Sequence, residues 1–386
     1  MASSRGIKKA TEKGLSIAGP TLPDFESLLP QMREIWETGD LTNGRNVEAF
    51  EQSVAKRIPE RHIVAVNSCT SGLMLALRVL DVQGEVLLPS FTFTASAHAV
   101  GWNGCTPVWV DCEADTLNID VEDLERKITT ETTAIMAVYV SGNPPAIETL
   151  QRIADKHNLK LIFDSAHALG STYQGKPAGS FGDIEVFSLS PTKTITTCEG
   201  GIVSVRDEEV ARRMRIGRNY ANPGNYDCEF IGLNARMSEL HAVVGQASFK
   251  MLDDNVQERR RLVNLYETKL RQVKGIHAQQ IGAGNECSFK DFSIRVVASE
   301  FGRTRDELRT VLSSNGIETR TYFDPPVHRQ QAYRAWRHQP GGGLSVTDQV
   351  ATEILNLPLY VGLTDTDVER VASVIEQVAT GAIAEV

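Results

Sequence analysis

Short apolar runs alternate with helical patterns from about residue 60 to residue 205, and this alternation constrains the fold more than any other feature. Such runs predict strands, and strands separated by helices predict a parallel sheet. The predicted strands are residues 63–66, 85–88, 107–110, 134–140, 159–163, 184–187 and 201–205. The clearest predicted helices are residues 73–80, 121–128 and 146–157. The sequence therefore predicts an α/β fold.

The pattern changes past about residue 236, where Met237, Leu240, Val244 and Ala247 recur at helical spacing. A shorter strand–helix–strand unit is predicted at residues 292–297, 303–314 and 318–322, and a glycine-rich loop at 339–343. A last helix is predicted at residues 367–378. We therefore predict a large domain over residues 1–250, including the N-terminal segment, and a smaller C-terminal α/β domain over residues 251–386.

Charge and composition argue against several classes of protein. A formal net charge of -9 disfavours broad nucleic-acid binding, which relies on excess lysine and arginine. No segment approaches the ~20 consecutive apolar residues that span a bilayer, and no apolar secretory leader follows Met1. The 6 cysteines include no Cys-x-x-Cys pair, so we expect neither a metal site nor a disulfide framework. These features favour a cytoplasmic protein that binds neither nucleic acid nor membrane.

Residues 161–201 combine a carboxylate and a lysine in a way that suggests a cofactor site. An apolar run ends in Asp164, while Ser188 precedes Lys193 by five residues and a Gly-Gly pair follows at residues 200–201. A lysine amine can form an imine with an aldehyde, and an acid beside a pyridine nitrogen keeps that nitrogen protonated. Alone, each residue more often has a surface or turn role. Together they indicate a site for pyridoxal 5'-phosphate (PLP).

Two other turns offer chemistry that suits this cofactor. Thr70 and Ser71 lie between a predicted strand and a helix, where free backbone amides and the helix dipole favour phosphate. Phe93 follows another predicted strand, and an aromatic ring can stack on a flat aromatic cation. The simpler interpretations, a helix cap and a core phenylalanine, remain open for these positions.

These motifs resemble the sugar-nucleotide aminotransferases of the DegT type, within the aspartate-aminotransferase-like fold. The resemblance depends on Asp164-x-Ala166-His167, on the Ser188–Lys193 spacing and on the acid-Gly-Gly turn at residues 199–201. It runs from about residue 18 to residue 380. It implies the PLP-dependent transferase fold type I, with a mainly parallel seven-stranded sheet in the large domain, and PLP as cofactor.

The resemblance also implies roles for individual residues. Lys193 would be the catalytic, imine-forming lysine, Asp164 would face the ring nitrogen, and His167 the ring hydroxyl. The remaining cofactor-binding residues would be Thr70, Ser71 and Ser188 at the phosphate, Phe93 on the ring, and Asn234 on the neighbouring subunit's cofactor. Asn234 therefore implies a homodimer with shared active sites. Tyr322 and His328, around a Pro-x-His loop, are expected at the substrate entrance.

The implied reaction moves an amino group from an amino acid, with L-glutamate preferred, to a nucleotide-linked keto-sugar. C4 of an NDP-4-keto-6-deoxyhexose is the preferred acceptor, and C3 is the alternative. A PLP-dependent sugar 3-dehydratase is disfavoured, because that branch carries histidine in place of the lysine. A non-catalytic regulator with this fold stays open, and a dinucleotide-binding oxidoreductase is weaker because residues 282–287 lack the third glycine of its motif.

Overall fold

The computed structural model describes residues 14–336 and 342–382. Its strands are β1 (His62–Val66), β2 (Glu85–Pro89), β3 (Thr106–Val110), β4 (Thr132–Val138), β5 (Lys160–Asp164), β6 (Thr172–Tyr173), β7 (Lys176–Pro177), β8 (Ile184–Ser188), β9 (Gly201–Val205), β10 (Ile276–Ala278), β11 (Phe292–Val296) and β12 (Ile354–Leu357). Its α-helices are α1 (Leu29–Thr38), α2 (Arg45–Ala55), α3 (Cys69–Val79), α4 (Thr94–Trp102), α5 (Val121–Arg126), α6 (Ile147–His157), α7 (Glu208–Gly217), α8 (Glu239–Phe249), α9 (Leu252–Leu270), α10 (Ala298–Phe301), α11 (Arg305–Ser314), α12 (Ser345–Glu353) and α13 (Asp365–Ala379).

The main sheet has seven strands in the order β1-β9-β8-β5-β4-β2-β3. Strands β8, β5, β4, β2 and β3 are parallel to one another, while β9 is antiparallel to both of its neighbours. The predicted α/β fold with a mainly parallel seven-stranded sheet is therefore confirmed. All seven predicted strands of this sheet form, with small shifts at their ends.

Both faces of this sheet are buried, because side chains that alternate along each strand enter two different hydrophobic cores. Phe163 and Phe187 lie in the core on one face, and Ile162 and Val186 lie in the core on the other. The strands therefore tolerate polar groups mainly at their ends, and this is where the candidate site lies.

Helix α3 begins earlier than predicted, at Cys69 and not at residue 73. Its N-cap is Ser68, whose side chain accepts a hydrogen bond from the amide of Ser71. The apolar periodicity marks only the buried part of the helix, and the cap sets its start. The first turn of α3 consequently lies beside the end of β1.

The smaller sheet is antiparallel, in the order β10-β11-β12, and the predicted strand at residues 318–322 is wrong. In that segment only Arg320 pairs with β12, opposite Asn356. The side chain of Asn356 then accepts a hydrogen bond from the amide of Tyr322, and the chain turns away from the sheet. The predicted strand at 292–297 and the helices at 303–314 and 367–378 correspond to β11, α11 and α13. The predicted loop at 339–343 lies partly outside the described residues.

Helix α9 joins the cores of the two sheets. Its first turns place Leu252 and Val256 in a core of the main sheet, and later turns place Leu262 and Tyr266 in the core of the smaller sheet. Leu15 packs in that second core as well. The division between residues 250 and 251 stays a prediction. Within the described ranges, no helix is both long and apolar enough to cross a membrane.

Candidate active site

A cavity of about 330 Å³ lies at the ends of β5 and β8. These strands are parallel neighbours, so their carboxyl ends meet at one edge of the sheet, where α/β proteins bind ligands. Most of the predicted site residues line this cavity: Thr70, Phe93, Asp164, His167, Ser188, Lys193 and Tyr322. The structure thus brings together residues at the ends of two main-sheet strands and residues of the loops and the helix start around them.

Asp164 is the last residue of β5 and is 4% exposed. Its Oδ2 accepts a hydrogen bond from Ser96 Oγ at 2.6 Å, and its Oδ1 accepts one from the amide of Ala166 at 3.1 Å. Burial raises the pKa of the Asp164 carboxyl, because a charge is costly in a desolvated site. The two hydrogen bonds and the nearby Lys193 act in the opposite direction. This carboxyl is consequently suited to hold or share a proton.

Lys193 lies on the loop between β8 and β9 and projects into the same cavity. The base of the loop is closed by hydrogen bonds from Leu189 N to Gly200 O and from Thr197 N to Leu189 O. Burial, with a contribution from the charge of Lys290, lowers the pKa of Lys193 to about 8. Its amine is therefore far easier to deprotonate near neutral pH than that of a surface lysine.

His167 follows β5 and lines the cavity beside these two groups. Burial holds the pKa of His167 well below its ordinary value, and the charges of Lys193 and Lys290 lower it further. The imidazole is consequently neutral at pH 7, with one nitrogen that donates a hydrogen bond and one that accepts. Such a ring can contact a ligand hydroxyl without adding charge.

Hydroxyl groups gather at the first turn of α3. Ser68 and Thr70 line the cavity there, opposite Ser188 and Ser190, whose Oγ atoms are 3.3 Å apart. The amides of a first helical turn have no partner within the helix, so they favour an anion. A Cβ on Gly201 would lie 2.8 Å from the amide nitrogen of Cys69, so only glycine lets β9 come this close to the helix start.

These residues fit PLP. An amine and an acid face one cavity, a neutral imidazole lies beside them, and the hydroxyls at the start of α3 suit a phosphate. Phe93 at the rim is 59% exposed, and its ring centroid is 6.4 Å from that of Phe323. Phe91, two residues before it, is fully buried in the core.

Three predicted site residues do not line this cavity. The hydroxyl of Ser71 contacts Asn67 Oδ1 at 2.6 Å within its own turn. Asn234 is exposed at the surface, and its carbonyl accepts a hydrogen bond from Asn67. His328 is buried behind the cavity, where Nδ1 lies 2.6 Å from Ser90 Oγ and Nε2 lies 3.1 Å from Asp348 Oδ1.

Sequence reasoning missed Lys290 and Asp291, which line the cavity and form a buried ion pair of 2.7 Å. It also assigned no role to Phe323. The available signal was a charged pair directly before the predicted strand at residues 292–297, since polar groups at strand ends often face a site. The sequence alone did not show that this strand end approaches the main sheet.

Comparisons with known proteins agree along nearly the whole chain. The model of the DegT/DnrJ/EryC1/StrS aminotransferase family matches residues 24–376. A GDP-perosamine synthase from Caulobacter vibrioides is 34% identical, over 94% of this chain and 98% of its own length. A dTDP-4-amino-4,6-dideoxy-D-glucose transaminase from Escherichia coli is 30% identical, over 94% of this chain and 98% of its own length.

A solved structure, that of DesI in the presence of its TDP-sugar product, superposes with a TM-score of 0.90. It is 33% identical, and the match covers 96% of this chain and 95% of DesI. Other matching relatives are named for 3-amino sugar nucleotides. The relatives thus share a reaction type and differ in the sugar carbon that their names specify.

Proposed function

The chain belongs to the DegT/DnrJ/EryC1/StrS aminotransferase family, and on that premise we propose that it aminates C4 of a 6-deoxy-4-keto hexose linked to a nucleoside diphosphate. The amino donor is an amino acid, with L-glutamate preferred. The chain is a PLP-dependent aminotransferase of sugar nucleotides. The observation that carries the proposal is that Lys193 and Asp164 line one cavity.

The bound cofactor would supply an aldehyde that takes up the amino group and a ring that withdraws electrons from the carbon losing its proton. Lys193 would hold that aldehyde, Asp164 would face the ring nitrogen, and His167 the ring hydroxyl. Thr70 and Ser188 would hold the phosphate at the start of α3. Ser71 belongs to the same turn and orders it through its contact with Asn67.

Lys193 is the group that moves protons. With a pKa of about 8, a useful share of its amine is uncharged near neutral pH and can accept a proton from the donor carbon. The resulting ammonium can return a proton to the sugar carbon in the second half of the reaction. Asp164 would assist, because an acid beside a pyridine nitrogen keeps that nitrogen protonated and this carboxyl is buried in the same cavity.

The preference for C4 is supported by the 30% identical relative named for a 4-amino sugar. C3 is the second candidate, since a 32% identical relative is named for a 3-amino sugar. The substrate entrance would include Tyr322, which lines the cavity. His328 would act indirectly, because it holds the Ser90 turn that leads to Phe91 and Phe93.

A direct assay tests the proposal. Purified protein is given L-glutamate with a 4-keto or a 3-keto sugar nucleotide, and the amino sugar is detected by mass. We expect the 4-keto substrate to be aminated, and we expect Lys193→Ala to abolish the reaction together with the imine absorbance. Lys274→Ala, at an exposed lysine, is the matched control. Amination of the 3-keto substrate alone would replace C4 by C3, and turnover by Lys193→Ala would refute the lysine's role.

A homodimer with shared sites is part of the same proposal. Large apolar side chains are exposed on three segments: Ile231 at 77%, three residues before Asn234, Tyr220 at 50%, and Trp36 on α1 at 75%. Bridges from Asn219 to Asn234 and from Thr42 to Ser238 bring their segments together. An exposed apolar surface of this kind is typical of an interface. Asn234 belongs to this surface, which is the position expected of a residue that reaches the partner's cofactor.

A cytoplasmic location is likewise proposed. Each of the cysteines is free, with Cys69, Cys105, Cys112 and Cys287 buried. Free thiols suit a reducing compartment. Fractionation of the source cells tests this, and recovery of the protein with secreted material would contradict it.

A further inference from the structure

Lys290 is a buried cation in the cavity, and it has no role in the proposed reaction as described so far. Of the described side chains that line the cavity, Lys290 and Lys193 are the lysines, and no arginine is among them. The Lys290 ammonium lies 2.7 Å from Asp291 Oδ1 and 5.4 Å from the centroid of the Tyr322 ring. The pair is almost fully buried, with both side chains 8% exposed. Burying an ion pair costs desolvation free energy, so an ion pair that is buried at a ligand site suggests a role in binding.

One face of α9 fixes the positions of both lysines. Asn255 Nδ2 donates a hydrogen bond of 2.9 Å to the carbonyl of Thr194, the neighbour of Lys193. One turn later the guanidinium of Arg259 donates a hydrogen bond of 3.1 Å to the carbonyl of Lys290. The two amines therefore enter the cavity from backbones held by the same helix.

The charge of Lys290 acts on the reacting end of the cavity. It lowers the pKa of Lys193 and that of His167, so its ammonium lies within electrostatic reach of both. An amino acid that gives its α-proton to Lys193 must place its α-carbon beside that amine. Its carboxylate is bonded to the same carbon, so the anion must lie in this part of the cavity.

We propose that Lys290 binds the α-carboxylate of the amino donor and so selects α-amino acids as donors. This inference rests on the proposed function and names a residue for its first half-reaction. The cavity already contains the carboxyl groups of Asp164, Glu199 and Asp291, so a further anion needs a cation there. A charge-assisted hydrogen bond from a lysine meets that need.

Asp291 explains how the same cavity also accepts an uncharged sugar ring. The Lys290–Asp291 pair is neutral as a whole, so a keto-hexose does not face an isolated buried charge. An ammonium has three N–H donors, and Asp291 takes one of them, which leaves donors for a carboxylate. One ion pair thereby serves the carboxylate of the donor in one step and the uncharged sugar ring of the acceptor in the next.

The test measures the two half-reactions separately with the cofactor-loaded enzyme. For Lys290→Met, the L-glutamate concentration at half-maximal rate should rise by at least about tenfold, as expected for a lost hydrogen bond to a charged group. The half-reaction with the keto-sugar should change by less than about threefold, and Lys290→Arg should recover part of the glutamate binding. Lys274→Met, at an exposed lysine, is the control.

A second measurement uses the wild-type protein, so it does not depend on the folding of a variant. L-isoglutamine carries an amide in place of the α-carboxylate, and the wild type should prefer L-glutamate over it by at least about tenfold. In Lys290→Met this preference should largely disappear. Equal use of both donors by the wild type, or unchanged glutamate dependence in Lys290→Met, overturns the inference and leaves the proposed function standing. A wild type that takes no amino group from L-glutamate or from any other α-amino acid overturns both.

Discussion

Ser96 Oγ donates a hydrogen bond of 2.6 Å to Asp164 Oδ2, and both side chains are buried. The bond ties the first turn of α4 to the end of β5. Ser96 also contacts Thr92 Oγ1 at 3.0 Å, so the loop that carries Phe93 is linked to the carboxyl through a chain of hydroxyls. Asp164, which we propose faces the ring nitrogen, and Phe93 at the rim are thus positioned together.

Replacing Ser96 with alanine should remove a hydrogen bond to a charged or partly charged carboxyl. We expect a loss of about 1.5–3 kcal/mol in the free energy of unfolding, measured by urea denaturation with cofactor present. Ser53→Ala, which removes only a bond to the neutral carbonyl of Ala49, is the matched control and should cost less. Equal losses in the two variants would contradict a special role for the Ser96–Asp164 bond.

The rate of the donor half-reaction should depend on the protonation of Lys193. The uncharged amine is the base, so at saturating L-glutamate the rate should be low in acid and reach half of its maximum near pH 8. Lys290 lowers the pKa of Lys193 and Asp291 raises it. The midpoint should therefore move to higher pH in Lys290→Met and to lower pH in Asp291→Asn. Stopped-flow rates across pH check this, and shifts in the same direction would refute the electrostatic account.

Mixed dimers test whether Asn234 completes the partner's site. Lys193→Ala and Asn234→Ala proteins should each be nearly inactive. After unfolding and refolding together in equal amounts, half of the dimers contain one of each subunit, and one site in such a dimer has both residues intact. Activity should return to about a quarter of the wild-type value. Mixing Lys193→Ala with itself is the control, and no recovery would argue against shared sites.

Gly201 should not tolerate a side chain. The added Cβ of Gly201→Ala would meet the backbone of Ser68 and Cys69, which cannot move without disturbing the start of α3. We expect a loss of about 1–3 kcal/mol in stability and faster loss of the cofactor on dialysis. Gly101→Ala, in α4 with open space around it, should be neutral or stabilising by up to about 1 kcal/mol. Normal cofactor retention in Gly201→Ala would contradict the close approach.

The sequence predicted the main sheet and the parts of the site that depend on it. Asp164 and Ser188 lie at the carboxyl ends of adjacent parallel strands, and apolar runs with polar ends are visible in the sequence. Lys193 was singled out because its spacing from Ser188 resembles the pattern of the DegT-type family. The strand predictions succeeded because apolar runs and their polar ends are local features of the sequence.

The parts that failed or were missed depend on contacts between elements that lie far apart in the sequence. Residues 318–322 (Glu-Thr-Arg-Thr-Tyr) contain the β-branched and aromatic residues that are typical of strands, yet this segment pairs with β12 only at Arg320. Lys290 reaches the cavity because Arg259 holds its backbone against α9, a contact between residues of different elements. Hydrophobic periodicity describes which face of an element is buried but does not identify its neighbours.

Helix α9 carries Leu252 in one hydrophobic core and Tyr266 in the other, within a single uninterrupted rod. Neither sheet can unfold without exposing apolar residues of α9 that are buried in its core. Calorimetry should therefore record one heat-absorption peak for both sheets. Any change that loosens α9 should also alter the distance between the amines of Lys193 and Lys290.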